Sequence, residues 1–462
     1  MGSAPRIIRR QQLVINGGTR RNQRARRLCL NAIEAALRAL DPTASLQSWL
    51  EIKREELLAG KLSITPTRAV RLLSVGKASL AMIEAALNIL KDTVVSGILV
   101  VPEGQKVEGF DKRIEVFHAS HPLPDTGGLR ASMRVISSIE RMGRDEMLVC
   151  LISGGASAML PAPPSDISLE DKRKVTQQLI RTKATIHEIN TVRRHMSELK
   201  GGRLVELCKA RTILSFMISD VAGNDLPDIG SGLTASDPTT FRDAISVLKS
   251  LKLWKSIPRS VNRHLREGLL ARIPDTPKPG NPMFRRVHNF IIADNWTACS
   301  AAKHYLETRR VRTRILTSSA EMEARSLGSL LASIANDCER YQHRRRLSSA
   351  IIIGGETTVE VRGEGKGGRN QETTLSALGR IAGLEGIAIA AVGTDGIDGN
   401  SPAAGAIADG YSAKRASRLG LHFQDFLRTN DSYTYFKKLG DSIVTGRTGT
   451  NVGDLYILIR VG

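Results

Sequence analysis

One segment constrains the fold of this chain more than any other. An apolar run, Met147–Ile152 (MLVCLI), is followed directly by a glycine-rich segment at 153–163 (SGGASAMLPAP). Six consecutive apolar residues before glycine predict a strand that is buried on both faces. Residues 168–186 then have the spacing of an amphipathic helix with Ser168 as its N-cap. Glycines at the carboxyl end of a strand let an anion approach backbone N–H groups, so the segment predicts a phosphate-binding loop.

Apolar runs alternate with amphipathic segments along the first 272 residues. A helix is predicted from residue 22 toward 58, interrupted at Asp41-Pro42. The elements that follow are a strand at 70–75, a helix at 77–90, a strand at 94–101, a helix at 128–142, a strand at 147–152 with its helix, and a strand at 212–219. This alternation predicts a mainly parallel α/β sheet, in which ligands bind beyond the carboxyl ends of the strands. The loops there are 76–79 (GKAS), 153–158 (SGGASA) and 219–225 (SDVAGND).

A proline-rich segment divides the chain into two predicted domains. Residues 273–282 (IPDTPKPGNP) follow a polar helix, so we expect a domain at 22–272, a linker at 273–285 and a second domain at 286–462. The second domain is predicted to be α/β with a mixed sheet. Its strands are expected at 287–293, 350–354, 357–362, 387–392 and 454–461, and its helices at 320–341 and 370–384.

Composition restricts the functional classes. The chain has 462 residues, a net charge of +21 and 4% aromatic residues, and no apolar stretch is long enough to span a membrane. A charge of this size suits nucleic acid, but aromatic residues are not interleaved with the basic ones as stacking platforms. The charge is therefore interpreted as a basic surface for anionic substrates, with no nucleic-acid or membrane partner. Five scattered cysteines indicate a reducing compartment.

The first residues of the chain are strongly basic. Residues 1–33 contain eight arginines and no acid, which supplies +8 of the +21. We predict that residues 1–21 form a disordered basic arm. A transit peptide is the alternative, so the expected location is the cytoplasm, with a mitochondrion or a peroxisome-type organelle as the alternative. The oligomeric state stays open, with a homodimer as one option.

Charged residues at the predicted strand ends are candidates for chemistry. Lys77 follows Gly76 and opens a helix, but Ala78 stands where a phosphate-binding loop of the Walker type has Ser or Thr. Asp220 ends a strand, where a carboxylate can bind Mg²⁺ or accept a hydroxyl proton. Asp395 and Asp398, in GTDGIDGN, repeat that pattern. Turn formation explains each aspartate equally well when it is taken alone.

Residues 363–368 (GEGKGG) match the dinucleotide-binding pattern G-x-G-x-x-G. The preceding segment alternates apolar and polar residues, whereas the first strand of a dinucleotide-binding fold is buried on both faces. We therefore predict that Lys366, Arg369 and Asn370 bind an anion in this basic, glycine-rich segment. A bound anion would offset the unfavourable position of Arg369, which is a cation at the positive end of a helix dipole. His187 and His195 could share a helix face, but no third metal ligand is evident in the sequence.

Together these segments resemble glycerate kinase of the glycerate 2-kinase type, the family with a C-terminal MOFRL domain. The resemblance runs from about residue 22 to the end of the chain. It rests on SVGKASLAM (74–82), HPLPD (121–125), LISGGASAMLPAP (151–163), INTVRRHMSELKGGRL (189–204), ISDVAGNDLPDIGSGLTASDPTT (218–240), GGETTVEVRGEGKGGRNQE (354–372), GTDGIDGNSPAAGAI (393–407), NDSYTYF (430–436) and TGRTGTNVGDL (445–455). The chain departs from the family pattern at Ala156, where a third glycine is usual.

The resemblance implies a large Rossmann-like α/β/α domain, a smaller α/β MOFRL domain at about 347–457, and ATP- and Mg²⁺-dependent phosphorylation of D-glycerate to 2-phosphoglycerate. Lys77 and Arg369 match the positions of the catalytic lysine and arginine, and Asp220 joins them as a catalytic candidate. Candidates for nucleotide or phosphate binding are Ser153, Gly154, Gly155, Ser157, Lys200, Gly367 and Gly368. Asp395, Asp398, Glu356 and Asn370 are candidates for substrate or metal, and Asp220 and Asp395 are the metal candidates.

Two other functions remain open from the sequence. The glycine pattern suggests an NAD(P)-dependent hydroxypyruvate reductase, in which Asp395 would bind the cofactor ribose. The net charge suggests a nucleic-acid-binding protein, which would bind with a steep salt dependence.

Overall fold

A computed structural model of the chain describes residues 7–53, 56–65, 69–182, 184–342 and 347–462. Its helices are α1 (Arg10–Ile15), α2 (Arg20–Ala39), α3 (Pro42–Gln47), α4 (Ser79–Leu90), α5 (Thr126–Glu140), α6 (Ala156–Met159), α7 (Leu169–Ile180), α8 (Ile186–Arg194), α9 (Arg203–Leu207), α10 (Phe241–Ser250), α11 (Arg259–Leu269), α12 (Asn295–Glu307), α13 (Ala324–Gln342), α14 (Arg369–Leu378), α15 (Ser412–Arg418), α16 (Phe423–Arg428) and α17 (Ser432–Leu439).

The strands are β1 (Leu50–Lys53), β2 (Glu56–Ala59), β3 (Leu62–Ile64), β4 (Val70–Val75), β5 (Val94–Pro102), β6 (Ile114–Ala119), β7 (Met147–Ile152), β8 (Thr212–Ile218), β9 (Val287–Ala293), β10 (Arg312–Ala320), β11 (Ser349–Gly355), β12 (Ile387–Gly393), β13 (Gly405–Asp409), β14 (Ser442–Ile443) and β15 (Asp454–Arg460). The predicted helix from residue 22 toward 58 ends at Ala39, and β1 and β2 lie in its second half.

The chain divides into two compact units. The first, called here the parallel-sheet unit, is Pro42–Ile292. The second, the mixed-sheet unit, combines Ala293–Gly462 with the residues up to Asp41. This division differs from the predicted one, because α2 packs on α12 and β12 and because residues 273–285 belong to the parallel-sheet unit. Helix α2 buries the apolar face that its sequence predicts, but it buries that face in the mixed-sheet unit.

The parallel-sheet unit is built on six strands in the order β6-β5-β4-β7-β8-β9. The pairs β5–β6, β4–β5, β4–β7 and β7–β8 are parallel, which confirms the predicted sheet. From β4 the chain moves outward to β5 and β6, and then returns to place β7 and β8 on the other side of β4. The direction of strand order therefore reverses between β4 and β7, and such reversal points are where α/β sheets bind ligands.

The core of this sheet explains why the central strands are apolar throughout. Every residue of β7 is buried, and the cluster around it includes Leu73, Val75, Val100, Cys150, Ile152 and Met159. A second apolar cluster joins α7, α8, α10 and α11, with Val175, Leu179, Val192, Phe241, Val261 and Leu265 among its members.

The mixed-sheet unit has six strands in the order β10-β11-β15-β12-β13-β14. The β10–β11 pair is parallel, and β15 lies antiparallel to both β11 and β12. This confirms the predicted mixed sheet. The final strand of the chain is thus a central strand, and all of its residues are buried.

The predicted strand at 357–362 is wrong. The described residues there form only an isolated bridge between Thr358 and Glu323. Alternating apolar and polar residues normally mark a half-buried strand, but Glu360, Val361 and Arg362 are all exposed, so no sheet face is present for them to cover. The glycine-rich segment 363–368 therefore does not follow a strand.

The prediction of a disordered arm at 1–21 is wrong for residues 7–21, and residues 1–6 lie outside the described part of the chain. Residues 10–15 form α1, in which Leu13 and Val14 are buried, and the amide of Ile8 donates to the Val444 carbonyl at 2.8 Å. Residues 1–21 lack acids and apolar periodicity, but the short helix α1 still buries Leu13 and Val14. None of the described helices has the length and apolar character needed to cross a membrane.

Candidate functional site

The first group of candidate residues lies where β4 and β7 end. The two strands end level, with Val75 opposite Ile152. The amide of Lys77 donates to the Gly154 carbonyl at 2.9 Å, and the amide of Ala78 donates to the Ser153 hydroxyl at 3.0 Å. The two predicted loops are therefore locked to each other at the reversal point of the sheet, with the Lys77 side chain half-buried beside them.

Two glycines make this close approach feasible. Gly76 has a φ of +118°, and a Cβ atom there would lie 2.4 Å from the Ser153 carbonyl oxygen. Gly155 has a φ of +93° and precedes α6. Both conformations favour glycine, and at Gly76 a side chain would also collide with backbone. The glycines in GKAS and SGGASA thus serve the fit between the two loops.

A polar network continues from the second loop into α8. The Ser157 and Ser231 hydroxyl oxygens are 2.6 Å apart, and Ser231 donates to the Asn190 side-chain oxygen at 2.9 Å. Asn190 in turn donates through Nδ2 to the Asp228 carboxylate at 3.3 Å. The sequence had suggested only Ser157, so Ser231, Asn190 and Asp228 were missed. These residues lie in the segments INT (189–191) and DIGSG (228–232), whose spacing does not indicate a site.

One group of described side chains could hold a metal ion. Single ligand atoms of His187, Asp225 and Asp228 all lie within 4.8 Å of one another. His187 Nδ1 is 3.0 Å from Asp228 Oδ2, while Arg194 Nη1 donates to Asp228 Oδ1 at 2.9 Å. His187 therefore has neighbours that the sequence did not reveal, because the turn after β8 brings the two aspartates to α8. A nitrogen and two carboxylates suit transition metals better than Mg²⁺.

Lys200 lies beneath this region, fully buried. Its ammonium donates to the Leu160 carbonyl, and the equally buried Lys172 donates to the Pro161 carbonyl at 2.5 Å and to the Met196 carbonyl. Burial, together with the nearby charge of Arg193, lowers the pKa of Lys200 to about 7. Lys200 is thus bonded to the backbone that follows α6.

The buried amine of Lys200 predicts a pH-dependent stability. Its folded pKa of about 7 lies below the unfolded value of about 10.4. Between these values the unfolded chain binds more protons, so the free energy of unfolding should rise with pH. We expect the difference in melting temperature between the wild type and Lys200→Met to shift by roughly 5 °C in favour of the wild type when the pH is raised from 7 to 9. If the melting temperatures of the two proteins change equally with pH over this range, a neutral Lys200 is contradicted.

Asp220 follows β8, the neighbour of β7 in the sheet. Because β4, β7 and β8 are parallel, Asp220 lies at the same edge of the sheet as Lys77 and Ser153. Its side chain is half-buried. The parallel-sheet unit therefore brings Lys77, Ser153, Gly154, Gly155, Ser157 and Asp220 to one edge.

The second group lies at the start of α14 in the mixed-sheet unit. Arg369 Nε is 2.5 Å from Asp454 Oδ2, and Arg369 Nη1 is 2.5 Å from Glu356 Oε1. Burial lowers the pKa of Arg369, but Asp454 and Glu356 raise it more, so the net pKa lies above its ordinary value. The Arg369 side chain is 31% exposed, so it is partly accessible while two carboxylates orient its guanidinium. Asp454 was missed by sequence, because an acidic residue at the start of an apolar strand has no distinctive spacing.

Asp398 is hydrogen-bonded to the start of α14. Its carboxylate accepts hydrogen bonds from the amides of Asn370 and Gln371 at 3.0 and 2.8 Å and from both of their side chains. Burial raises the pKa of Asp398 to about 6, against the lowering effect of these bonds. The side chain therefore caps the N-terminus of α14, and it orients Asn370, whose Nδ2 also donates to Asp454 Oδ1 at 3.0 Å.

The glycine-rich segment 363–368 is bonded to its own unit. The amides of Gly363 and Lys366 donate to the side chains of Asn430 and Asp431, and that of Gly367 donates to Asn400 Oδ1 at 2.8 Å. These amides are therefore engaged within the protein. Gly368 precedes α14 and places its backbone against Asp398. The segment leads directly into Arg369, and anion binding by Lys366, Arg369 and Asn370 stays a prediction.

Asp395 lies in the loop after β12, with its Oδ1 accepting from the Ile397 amide at 3.0 Å. The mixed-sheet unit brings together Arg369, Glu356, Asn370, Gly367, Gly368 and Asp398, with Asp454 at their centre.

Two family models match the chain. The first, described as a domain of unknown function (DUF4147), matches residues 28–266, and the second, the MOFRL family, matches residues 349–454. A glycerate 2-kinase of Pyrococcus horikoshii is 36% identical, over 94% of this chain and 97% of that protein. A putative hydroxypyruvate reductase of Agrobacterium vitis is 35% identical, over 94% of each chain.

A solved structure has the same fold. The crystal structure of a glycerate kinase from Thermotoga maritima superposes with a TM-score of 0.81 at 33% identity, covering 94% of this chain and 99% of that one. Identity of this level over nearly the whole length, together with both family matches, confirms the resemblance that the sequence segments suggested. The chain therefore belongs to the glycerate kinase family of the glycerate 2-kinase type, with a C-terminal MOFRL domain.

Proposed function

We propose that this protein transfers the γ-phosphoryl group of ATP to D-glycerate and forms 2-phosphoglycerate. The observation that carries the proposal is the pair of glycine loops, locked to each other through Lys77 and Gly154 at the reversal point of a parallel sheet. Such a point binds ligands, and phosphoryl transfer requires mainly positioning and neutralisation of charge. The names of relatives from Pyrococcus and Thermotoga support the same activity.

Each candidate residue has a role in this proposal. Lys77 would neutralise charge on the transferred phosphoryl group, while Gly154, Gly155 and Ser157 would hold the nucleotide phosphates. Arg369 would bind the substrate carboxylate or the phosphoryl group through the N–H groups that Asp454 and Glu356 leave available. Asp220 would orient the glycerate hydroxyl or hold the metal. Lys200, Asp398 and Asp454 would position these groups without touching substrate.

The carboxylates of Asp220 and Asp395 are each a candidate ligand for Mg²⁺. Mg²⁺ is usually bound by one or two protein carboxylates together with substrate phosphates and water. Both aspartates are half-buried at the ends of strands and offer oxygen ligands. When bound, the ion would neutralise charge on the β- and γ-phosphate oxygens.

An activity assay tests the proposal. We expect the purified protein to consume ATP only when D-glycerate and a divalent metal are both present, with 2-phosphoglycerate as the product. Separation of the 2- and 3-phosphoglycerate isomers identifies the hydroxyl that is phosphorylated. Equal turnover after removal of metal by chelation would contradict the metal requirement, and the 3-isomer would contradict the proposed position.

A reductase is the second candidate, because the relative from Agrobacterium vitis is named a putative hydroxypyruvate reductase. Incubation with NADH and hydroxypyruvate, followed by absorbance, separates the two activities. We expect no oxidation of NADH, since the G-x-G-x-x-G amides of Gly363 and Gly367 are bonded to asparagine side chains. We propose the cytoplasm as the compartment, which suits the free thiols of all five cysteines.

A further inference from the structure

One surface depression of the parallel-sheet unit is strongly cationic. It has a volume of about 470 Å³ and lies along α11 and the residues just before that helix. The charged and aromatic side chains in its lining are Trp254, Lys255, Arg259, Arg263, Arg266 and Glu267. Four positive charges and one negative charge give the lining a net charge of +3. Its volume lies within the range of about 300–1,000 Å³ that is typical of small-molecule sites.

Acidic neighbours do not neutralise these cations. The one acid of the lining, Glu267, is bound by Arg272, whose Nη1 lies 3.0 Å from Glu267 Oε2. Within the part of the chain that the structure describes, Lys255, Arg259 and Arg263 form no ion pair. The depression is therefore a local excess of positive charge, in contrast to surface arginines such as Arg113 and Arg134, which are bound to acids.

The arrangement on α11 is unfavourable without a ligand. Arg259, Arg263 and Arg266 are spaced by four and three residues, so they share one face of the helix. Like charges one turn apart repel each other. Arg259 is also the first residue of the helix, where the helix dipole disfavours a cation, and Pro258 before it provides no side-chain cap. An anion in the depression would offset both effects.

Trp254 forms a fixed wall of the depression. Its ring packs against the apolar cluster of α7, α8, α10 and α11, and the Arg266 guanidinium lies 5.7 Å from the ring centroid. The indole is therefore held in place next to the cations. Its fluorescence should respond when an anion moves Arg266 or enters beside it.

We propose that this depression binds a polyphosphate chain, free or as part of a nucleoside triphosphate, at a site separate from the glycine loops. Guanidinium groups match phosphate oxygens with paired hydrogen bonds, and three arginines on one helix face can contact successive phosphates. The lining contains no residue of the Lys77 or Ser153 loops. The inference thus goes beyond the proposed kinase activity and does not depend on it.

Calorimetric titration with inorganic tripolyphosphate tests the site. The test variant carries Arg259→Gln and Arg263→Gln, and the matched control carries Arg20→Gln and Arg24→Gln. Arg20 and Arg24 are likewise the first residue of a helix and the residue one turn later, and both are exposed. We expect the test variant to raise Kd about tenfold or more and the control to change it less than about twofold.

Equal weakening by both double variants would overturn the proposal, because it would make binding a property of the overall charge. The titration is repeated with Lys77→Met, which should leave the α11 site intact whether or not the protein is a kinase. Binding that is lost in Lys77→Met but kept in the Arg259/Arg263 variant would place the anion at the glycine loops and overturn the proposal. Melting curves confirm that each variant is folded.

Tryptophan fluorescence tests the location of the site, and relative affinities identify the class of ligand. The change in emission on adding tripolyphosphate should disappear in Trp254→Phe, and a change that persists there would contradict the location. Measured in the Lys77→Met variant, tighter binding of ATP than of tripolyphosphate that is lost when Arg259→Gln and Arg263→Gln are added would identify a nucleotide, and equal binding would identify the phosphate chain alone. Binding of an RNA of about 20 nucleotides that is much tighter than either, steeply salt-dependent and lost in the Arg259/Arg263 variant, would instead make this face a nucleic-acid surface.

Discussion

Replacing Arg369 by lysine is expected to lower kcat about 100-fold or more while changing KM much less. Arg369 has five N–H donors in a planar fork, and three contacts join it to Asp454 and Glu356. The donors that remain are held in a fixed direction, which is how preorganised groups stabilise charge in a transition state. Lysine keeps the charge but cannot hold two carboxylates and a phosphate or carboxylate of the substrate in one plane. Steady-state kinetics measure both constants.

Arg325→Lys is the matched control for this experiment. Arg325 lies in the same unit, is bound to Glu372 at 2.6 Å, and is 24% exposed, close to the 31% of Arg369. We expect it to lower the melting temperature without a selective loss of kcat. A wild-type kcat in Arg369→Lys, combined with a depressed melting temperature like that of the control, would make Arg369 a structural residue and leave Lys77 as the main catalytic cation.

Replacing Arg26 by methionine is expected to destabilise the protein by about 3–5 kcal/mol. Arg26 is fully buried, and its guanidinium contacts Asp409 and both carboxylate oxygens of Asp441, the latter at 2.9 Å. Methionine fills much of the volume but leaves the buried Asp409 without its cation and leaves Asp441 with Arg415 alone. At about 2–4 °C per kcal/mol, the melting temperature should fall by about 10 °C. Arg24→Met, on the exposed face of the same helix, serves as the control and should change it little.

Acid should narrow the difference between wild type and Arg26→Met. Burial by itself raises the pKa of Asp441, but Arg26 and Arg415 lower it more, so its folded pKa lies below 3.8. A depressed carboxyl pKa stabilises the fold above the unfolded value and loses that contribution as pH falls through the folded value. The two melting temperatures should therefore approach each other below about pH 4. A constant difference down to pH 3 would show that Arg26 acts through packing alone.

The burial of Arg26 also shows that local charge composition does not predict which arginines are buried. Eight arginines without an acid in residues 1–33 have the composition of a solvated arm. The acids that pair with Arg26 lie more than 380 residues later in the chain, at Asp409 and Asp441. Composition measures local charge, whereas burial depends on partners that only the fold brings near.

The two glycine-rich segments also show which features the sequence predicts and which depend on the fold. For SGGASA, the preceding strand β7 has the predicted bounds, because six apolar residues in a row can be satisfied only between two covered faces. For GEGKGG, the described residues before it form no strand. Its amides donate hydrogen bonds to the side chains of Asn430, Asp431 and Asn400. The two segments look alike in composition, and their different roles follow from what occupies the space around their backbones.

By itself, the sequence determined the family, the parallel and mixed sheets, and the strand ends at which Lys77, Ser153 and Asp220 lie, because apolar periodicity and glycine positions are local properties of the chain. The tertiary structure alone decided that α2 belongs with the C-terminal half, that Asp454 orients Arg369, that Asp398 caps α14, and that Asp225 and Asp228 meet His187. Each of these contacts joins residues distant in sequence or turned together by a loop. Their energies depend on distance in space, and no pattern along the chain encodes that distance.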